Sequence, residues 1–272
     1  MPVGGLYRRD RLDYTAPMEL LNSTPNPFGG IIPDPTMLPV DAQTFAPQLK
    51  HSLQTWTSDG YKLVWLEVPL QSADLVPVAA SEGFTFHHAD QEYVMMLKEL
   101  EKGAFVPNYS THYIGAGGVV ISNDNEILVV RERRGGGASG SFKLPGGHVH
   151  EGEHIAEAVV REVLEETGIQ SQFVSLVCFR HQHGYRHGKS DIYFVCRLEP
   201  LSKDIVMQDE EIAECIWMPV DEYLSTESVS MFNQEIVRAA IDSPGLTPTA
   251  LEGYRDPAQV EVFFPRNWQQ KG

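Results

Sequence analysis

The stretch LPGGHVHEGEHIAEAVVREVLEETGIQ, from Leu144 to Gln170, carries six glutamates around a single arginine and begins with a Pro-Gly-Gly turn. Residues 153–167 contain no glycine or proline, and Gly168 follows them in the position of a left-handed cap. This pattern predicts a helix over residues 153–167. Apolar residues recur on one side of this helix and predict the face that packs on a core: Ile155, Ala156, Val159, Val160 and Val163.

Three glutamates of this helix share one strip of its surface. Glu162, Glu165 and Glu166 stand at positions i, i+3 and i+4, which brings their carboxylates close together. A solvated acidic face with a Glu157–Arg161 ion pair is the simpler interpretation. In that interpretation the three carboxylates repel one another close to the negative end of the helix dipole, and little positive charge nearby offsets the repulsion. A divalent cation removes that conflict, and hard oxygen donors favour Mg²⁺ or Mn²⁺.

The spacing of this stretch resembles the Nudix box, G-x5-E-x7-R-E-U-x-E-E-x-G-U. Gly147, Glu153 and residues 161–169, REVLEETGI, agree with every fixed position. The resemblance implies an α/β fold, an α/β/α sandwich with a mixed sheet. It also implies a diphosphatase that depends on Mg²⁺, with Mn²⁺ as the alternative ion.

The resemblance also implies roles for particular residues. Glu162, Glu165 and Glu166 become catalytic metal ligands, and the Gly147 carbonyl becomes an additional ligand. Arg161 is implied to act with Glu153 in orienting these carboxylates. Members of the family differ in which carboxylate is the general base. Glu211, in the segment QDEEIAECIWMP, is our candidate, with an exposed acidic turn as an equally supported interpretation.

Basic and histidine side chains around the box are candidates for holding a substrate. The substrate-binding candidates are Arg131, Lys143, His183 and Lys189, with solvated loop charges as the alternative. His181, His183 and His187 suggest a metal cluster, but they lack a further ligand at zinc-like spacing, so substrate contact or an exposed loop is favoured. The glycines of GAGGVV predict close strand approach near the site.

Changes in amino-acid composition along the chain predict four segments. These are an irregular lead-in (1–35), a small α+β domain (36–106), the Nudix domain (107–245) and a C-terminal tail (246–272). Asp41 is a candidate cap for a helix in the second segment, and YKLVWLEVP predicts a strand that ends at Pro69. RRGGGASGS, residues 133–141, predicts a mobile surface loop.

Charge and composition restrict the class of protein. The net charge of -16 argues against broad nucleic-acid binding, which requires clustered lysine and arginine. No apolar run approaches the length of a membrane span. Three widely spaced cysteines and the lack of a secretory signal predict a reducing compartment, the cytoplasm first, with the nucleus and the mitochondrion as alternatives.

Segments outside the box resemble one subfamily of Nudix proteins. EGFTFHHA, STHYIGAGGVVI and GKSDIYFVCRLEP resemble the two-domain Nudix subfamily of the antisense basic fibroblast growth factor protein and its plant relatives, over roughly residues 27–240. This resemblance implies a nucleotide diphosphate substrate, with ADP-ribose or a related dinucleotide such as NADH first and dinucleoside polyphosphates second. Another organic diphosphate and a non-catalytic binding protein remain as alternatives. We expect a homodimer.

Overall fold

A computed structural model describes residues 19–133 and 141–269. The chain divides into two compact units, Met1–Ser110 and Thr111–Gly272. The boundary between them lies a few residues after the predicted one, along the chain. Most of the predicted surface loop, residues 134–140, lies outside the described residues, as do 1–18 and 270–272. No helix in the described ranges is long and apolar enough to cross a membrane.

The first unit is a five-stranded sheet with helices. In chain order its elements are β1 (Ser23–Pro25), β2 (Gly30–Pro33), a 3-10 turn (Pro35–Met37), α1 (Ala42–Ser58), β3 (Leu63–Pro69), a 3-10 segment (Leu70–Leu75), α2 (Val76–Ser81), β4 (Thr85–Ala89) and β5 (Tyr93–Glu99). The sheet order is β1-β2-β3-β5-β4, and only the β2–β3 pair is parallel. The small α+β domain therefore has its own sheet.

Helix α1 begins where the sequence predicts. The Asp41 carboxylate accepts the Thr44 N–H at 2.8 Å, which satisfies one of the amides that a helix start leaves without a partner. Phe45, Leu49 and Trp56 are buried on one face of the helix and pack in the core of this unit. The helix thereby covers the apolar face of the sheet.

The predicted irregular lead-in is wrong for residues 23–33. These residues form β1 and β2, which pair through Thr24 and Ile32. The prolines stand at strand ends, where a missing N–H is tolerated, and Gly29 takes the positive φ of 76° that the intervening turn requires. A composition rich in proline and glycine therefore marks a hairpin here.

The second unit holds a six-stranded and a two-stranded sheet. Its elements are β6 (His112–Val120), β7 (Glu126–Glu132), β8 (Gly146–His148), α3 (Ile155–Thr167), β9 (Ser171–Gln182), a 3-10 turn (Arg186–Gly188), β10 (Ser190–Pro200), β11 (Ile212–Pro219), α4 (Val220–Ser225), α5 (Met231–Asp242), β12 (Leu246–Pro248) and β13 (Phe263–Pro265). The larger sheet has the order β13-β12-β9-β10-β6-β8, with β6 and β10 parallel; β7 pairs with β11. This mixed α/β architecture confirms the predicted fold class.

Two cores lie on opposite sides of β6. Ala116 packs in one core with Val163 of α3, whereas Val119 packs in the other with Val237 of α5. Alternate residues of a strand point to opposite faces, so one helix covers each face of the larger sheet. The box helix α3 thus packs directly on the strands that carry the predicted site.

The predicted C-terminal tail is also wrong. β12 pairs with β9 and with β13, so both strands extend the larger sheet. Phe263 lies against Phe173 of β9, with ring centroids 5.9 Å apart. The segment is held by strand pairing and aromatic packing, which its short apolar runs did not reveal.

Candidate active site

Glycines bring β6, β8 and β10 close together at the start of the box. A Cβ atom on Gly117 would lie 2.0 Å from the Tyr193 hydroxyl, and one on Gly146 would lie 2.3 Å from the Ala116 carbonyl oxygen. A Cβ on Gly147 would lie 2.6 Å from Glu162 Oε1. The glycines therefore permit the close approach that the sequence predicts, and they place the Glu162 carboxylate directly against the backbone of β8.

Arg161 joins the box loop to the box helix. Its guanidinium donates to both carboxylate oxygens of Glu153, at 2.7 and 2.9 Å, and to the His148 carbonyl at 3.0 Å. It also donates to Glu162 at 2.9 Å and to Glu165 at 3.0 Å. The bidentate contact with Glu153 fixes the planar group, so Arg161 orients two of the three predicted metal ligands.

Strong pairing with Arg161 is visible in the ionisation of Glu153. The hydrogen bonds from Arg161 lower the pKa of Glu153 to about 2, from 4.5. The same contacts raise the pKa of Arg161. Both groups are therefore charged at neutral pH, which supports the orienting role that the sequence predicts for this pair. The alternative Glu157–Arg161 pair is not formed; Glu157 instead accepts the His154 N–H at 3.3 Å.

Glu166 is buried, and this excludes a fully solvated acidic face. Its side chain is 6% exposed, and its Oε2 accepts the Gly146 N–H at 2.9 Å. Burial raises the pKa of Glu166 to about 7, although the positive charge of Lys143 opposes this shift. Burying an ionised carboxylate is costly unless it is paired or binds a metal. The fold thus holds a carboxylate whose charged form requires a cation.

Comparisons with known proteins support the same interpretation. A model described as Nudix hydrolase domain matches residues 21–100, and one described as NUDIX domain matches residues 111–239. Nudix hydrolase 8 from Arabidopsis thaliana is 38% identical over 255 residues, which are 90% of this chain and 69% of that protein. The chain belongs to the Nudix hydrolase family. The predicted enzyme class, a Nudix diphosphatase, is thereby confirmed.

Two further proteins are similar to this chain. Nucleoside diphosphate-linked moiety X motif 6 from Homo sapiens is 36% identical to this Nudix hydrolase over 203 residues, 73% of this chain and 64% of that protein. The solved MutT protein from Methanosarcina mazei Go1 covers 50% of this chain and 98% of its own, with 22% identity and a TM-score of 0.43. The plant and animal relatives confirm the predicted two-domain subfamily.

Nudix hydrolases generally use divalent metal ions. The donor chemistry here fits such an ion, because the buried Glu166 carboxylate lies beside Glu162 on a strip of hard oxygen donors. Within residues 19–133 and 141–269, no three His, Cys, Asp or Glu side chains are already assembled around one metal position. Arg161 holds both Glu162 and Glu165 through the same nitrogen, Nη1.

The predicted substrate-binding residues occupy different surroundings. Lys143 forms an ion pair with Glu132 and acts on the charge of Glu166, so it lies near the carboxylates. Arg131 pairs with Glu214 at 2.8 Å, and its guanidinium carbon lies 4.2 Å from the centre of the Phe142 ring.

Lys189 lies beside an aromatic ring, and His183 lies beside a hydroxyl group. Lys189 Nζ is 5.5 Å from the centre of the Tyr113 ring, which contacts His148 edge-on. The Tyr113 ring thus lies between Lys189 and His148, the residue that follows Gly147. His183 instead accepts from or donates to Ser190 Oγ at 2.9 Å.

Glu211 is exposed and directly precedes β11. Its carbonyl oxygen accepts the Arg133 N–H at 2.8 Å. Among the described residues, its carboxylate forms no hydrogen bond or ion pair with the box glutamates. The assignment of Glu211 as general base stays a prediction.

Two further residues organise the site, and the sequence did not predict them. Tyr193 fills the space opposite Gly115 and Gly117, and Glu261 binds the first amides of α3. The glycine run was the signal for a large neighbour, but it did not say which one. Glu261 had no local signal, because its partner Ile155 is far away in the sequence.

Proposed function

We propose that this Nudix hydrolase depends on Mg²⁺ and cleaves the diphosphate linkage of a nucleoside diphosphate derivative, with ADP-ribose or a related dinucleotide such as NADH as substrate. The observation that carries the proposal is the buried Glu166 carboxylate beside Glu162 in a complete Nudix box. Mn²⁺ is the alternative ion because it prefers the same oxygen donors.

The reaction requires charge neutralisation and an oriented water. The water oxygen bonds to one phosphorus, the P–O–P bond breaks, and two phosphomonoesters are released. A bound divalent cation supplies positive charge to the phosphate oxygens and makes water a better nucleophile at neutral pH. Glu162, Glu165 and Glu166 would hold it. Arg161 and Glu153 hold the box helix against the box loop, and Arg161 orients Glu162 and Glu165.

The surroundings of the box support an anionic substrate that carries a ring. Lys143 lies near Glu166, and Lys189 lies beside the Tyr113 ring, so positive charge is present near an otherwise acidic site. Aromatic side chains offer a flat surface to a base or nicotinamide ring. The name of the human relative refers to nucleoside diphosphate-linked compounds, which agrees with this chemistry.

A dinucleoside polyphosphate is the second candidate substrate. Tyr185 contacts Tyr113 edge-on, with ring centroids 5.7 Å apart, and therefore adds a second aromatic ring at this position. A further base has a place to pack if both rings are used. We rank ADP-ribose first because the resemblance of the sequence to the two-domain subfamily implies ADP-ribose or a related dinucleotide.

A nucleotide panel tests the proposal. The full chain is incubated with ADP-ribose, NADH and dinucleoside polyphosphates, with Mg²⁺ or with EDTA, and the phosphomonoester products are treated with phosphatase and measured as free phosphate. We expect release from ADP-ribose or NADH in Mg²⁺ alone. Binding of these nucleotides without any turnover would support the non-catalytic alternative. Turnover that survives EDTA would contradict the mechanism.

A further inference from the structure

Three histidines lie together at one end of the larger sheet. His112 begins β6, His181 lies near the end of β9, and His183 follows directly after that strand. The Nε2 atoms of His112 and His181 are 2.9 Å apart. The His183 ring packs edge-on against His181, with ring centroids 4.5 Å apart. None of these side chains belongs to the Nudix box.

Strand pairing fixes the positions of the first two histidines. His112 is the partner of Ser190 in the parallel β6–β10 ladder, and His181 is the partner of Ile192 in the antiparallel β9–β10 ladder. His112 and His181 therefore flank β10 from its two sides, opposite partners that are two residues apart on that strand. Groups on strands keep their separation better than groups on loops, so the His112–His181 pair is held in place by the fold.

Hydroxyl groups orient the outer nitrogens of the cluster. His112 Nδ1 is 2.7 Å from Thr111 Oγ1, and His183 Nδ1 is 2.9 Å from Ser190 Oγ. When each Nδ1 carries its proton and donates it to the hydroxyl, Nε2 is left with a lone pair. Histidines that bind metals show this arrangement, in which the second ring nitrogen donates to an oxygen.

We propose that His112 and His181 chelate a borderline divalent transition metal such as Zn²⁺ through their Nε2 atoms, and that His183 turns its ring to add a third imidazole. Two nitrogens on one tetrahedral ion at about 2.0–2.1 Å lie about 3.3 Å apart. The observed separation of 2.9 Å therefore needs only a small opening. When the metal binds, the proton between the two Nε2 atoms is displaced and moves to the Nδ1 atom of the same ring.

This site differs from the box in the ion that it selects. Imidazole nitrogen suits zinc, copper and nickel, whereas the carboxylates of the box suit magnesium and manganese. In the part of the chain that the structure describes, no third ligand is already in place. The rotation of His183 is therefore a specific requirement of the proposal.

Competition with a chromophoric chelator tests the site. Zn²⁺ is titrated into the tag-free full chain in saturating Mg²⁺, which occupies the box carboxylates. We expect one tight Zn²⁺ per chain, and its loss in His112→Gln and in His181→Gln. Thr111→Val keeps the shape of the side chain but removes the hydroxyl, and we expect Zn²⁺ affinity to fall by about 10- to 100-fold.

Matched variants separate this cluster from other ligands. His187→Asn removes an exposed histidine of the same loop and suits its positive φ of 54°, and Cys178→Ser removes a thiol of β9. Both should bind Zn²⁺ like the unmodified chain. Failure of the unmodified chain to bind Zn²⁺, unchanged affinity in either ligand variant, or an equal loss in either control would overturn the proposal. Circular dichroism of each variant checks that it is folded.

Discussion

The Glu261 carboxylate binds the start of the box helix: its two oxygens accept the N–H groups of Ile155 at 2.9 Å and of Ala156 at 3.2 Å. A negative charge at this end of a helix is favoured by the helix dipole. The side chain of His154, just before the helix, also contacts the Pro257 carbonyl at 3.0 Å. The C-terminal segment therefore holds the helix that carries the three glutamates.

Removing this cap should lower stability. We expect Glu261→Ala to reduce the free energy of unfolding by about 1 kcal/mol, because two helix amides lose their acceptor. Urea unfolding followed by circular dichroism measures the change. Glu227→Ala, at an exposed position outside helices and strands, is the control. Equal stability of Glu261→Ala and the unmodified chain would show that water replaces the carboxylate without cost.

Neutralising the box carboxylates should abolish turnover without unfolding the chain. We expect Glu165→Gln and Glu166→Gln each to lower kcat by at least about 100-fold, because charge that the cation needs is lost. Glu151→Gln, an exposed residue of the same loop, should keep its activity. Near-normal turnover of Glu165→Gln or Glu166→Gln in saturating Mg²⁺ would disprove the assignment of the site.

Glu166 should make the metal-free protein less stable as pH rises. Its pKa is raised from 4.5 to about 7 in the folded chain, so the folded chain holds the proton more tightly than the unfolded chain does. The resulting gain in the free energy of unfolding is complete below about pH 4.5 and is lost as pH rises through 7. This difference between the two pKa values corresponds to about 3 kcal/mol in the free energy of unfolding. With EDTA present, the stability of Glu166→Gln relative to the unmodified chain should therefore increase between pH 5 and 8, since the amide cannot ionise.

Urea unfolding of both chains over this pH range measures that relative stability. Saturating Mg²⁺ is the control condition, because a bound cation favours the ionised carboxylate and should reduce the difference. A constant stability difference from pH 5 to 8 in EDTA would mean that Glu166 titrates as an ordinary carboxylate.

Glu211 provides a direct test of the general base. If it accepts the proton of the attacking water, Glu211→Gln should lower kcat by about 10²- to 10⁴-fold with little change in KM. The adjacent Glu210 is also exposed and supplies the matched control, Glu210→Gln. Equal activities of the two variants would assign the proton transfer to a box glutamate.

The first unit should contribute to a homodimer. It exposes large apolar side chains, including Leu70 at 67% and Phe86 at 68%, and such surface favours association when it is contiguous. Light scattering on the full chain at micromolar concentration measures the mass. A clean monomer of 30.4 kDa would contradict the prediction.

The sequence alone was sufficient for the box helix and for its family. The end of the helix depends on a neighbour along the chain, because Gly168 takes its left-handed cap at a φ of 72°, and its buried face follows from Val159 and Val163 at helical spacing; its start lies at Ile155, two residues after the predicted one. The Nudix pattern was likewise a matter of local spacing. Such features could be predicted because the interactions that create them span only a few residues.

The tertiary structure decided which charges are buried and which partner each one finds. Spacing placed Glu165 and Glu166 on one strip, but only the packing of α3 on the sheet leaves Glu165 exposed and buries Glu166 against the Gly146 amide. The same holds for Glu261 and for the contact of His112 with His181. These contacts join residues far apart in sequence, and no local pattern encodes them, because their geometry exists only after the strands have paired.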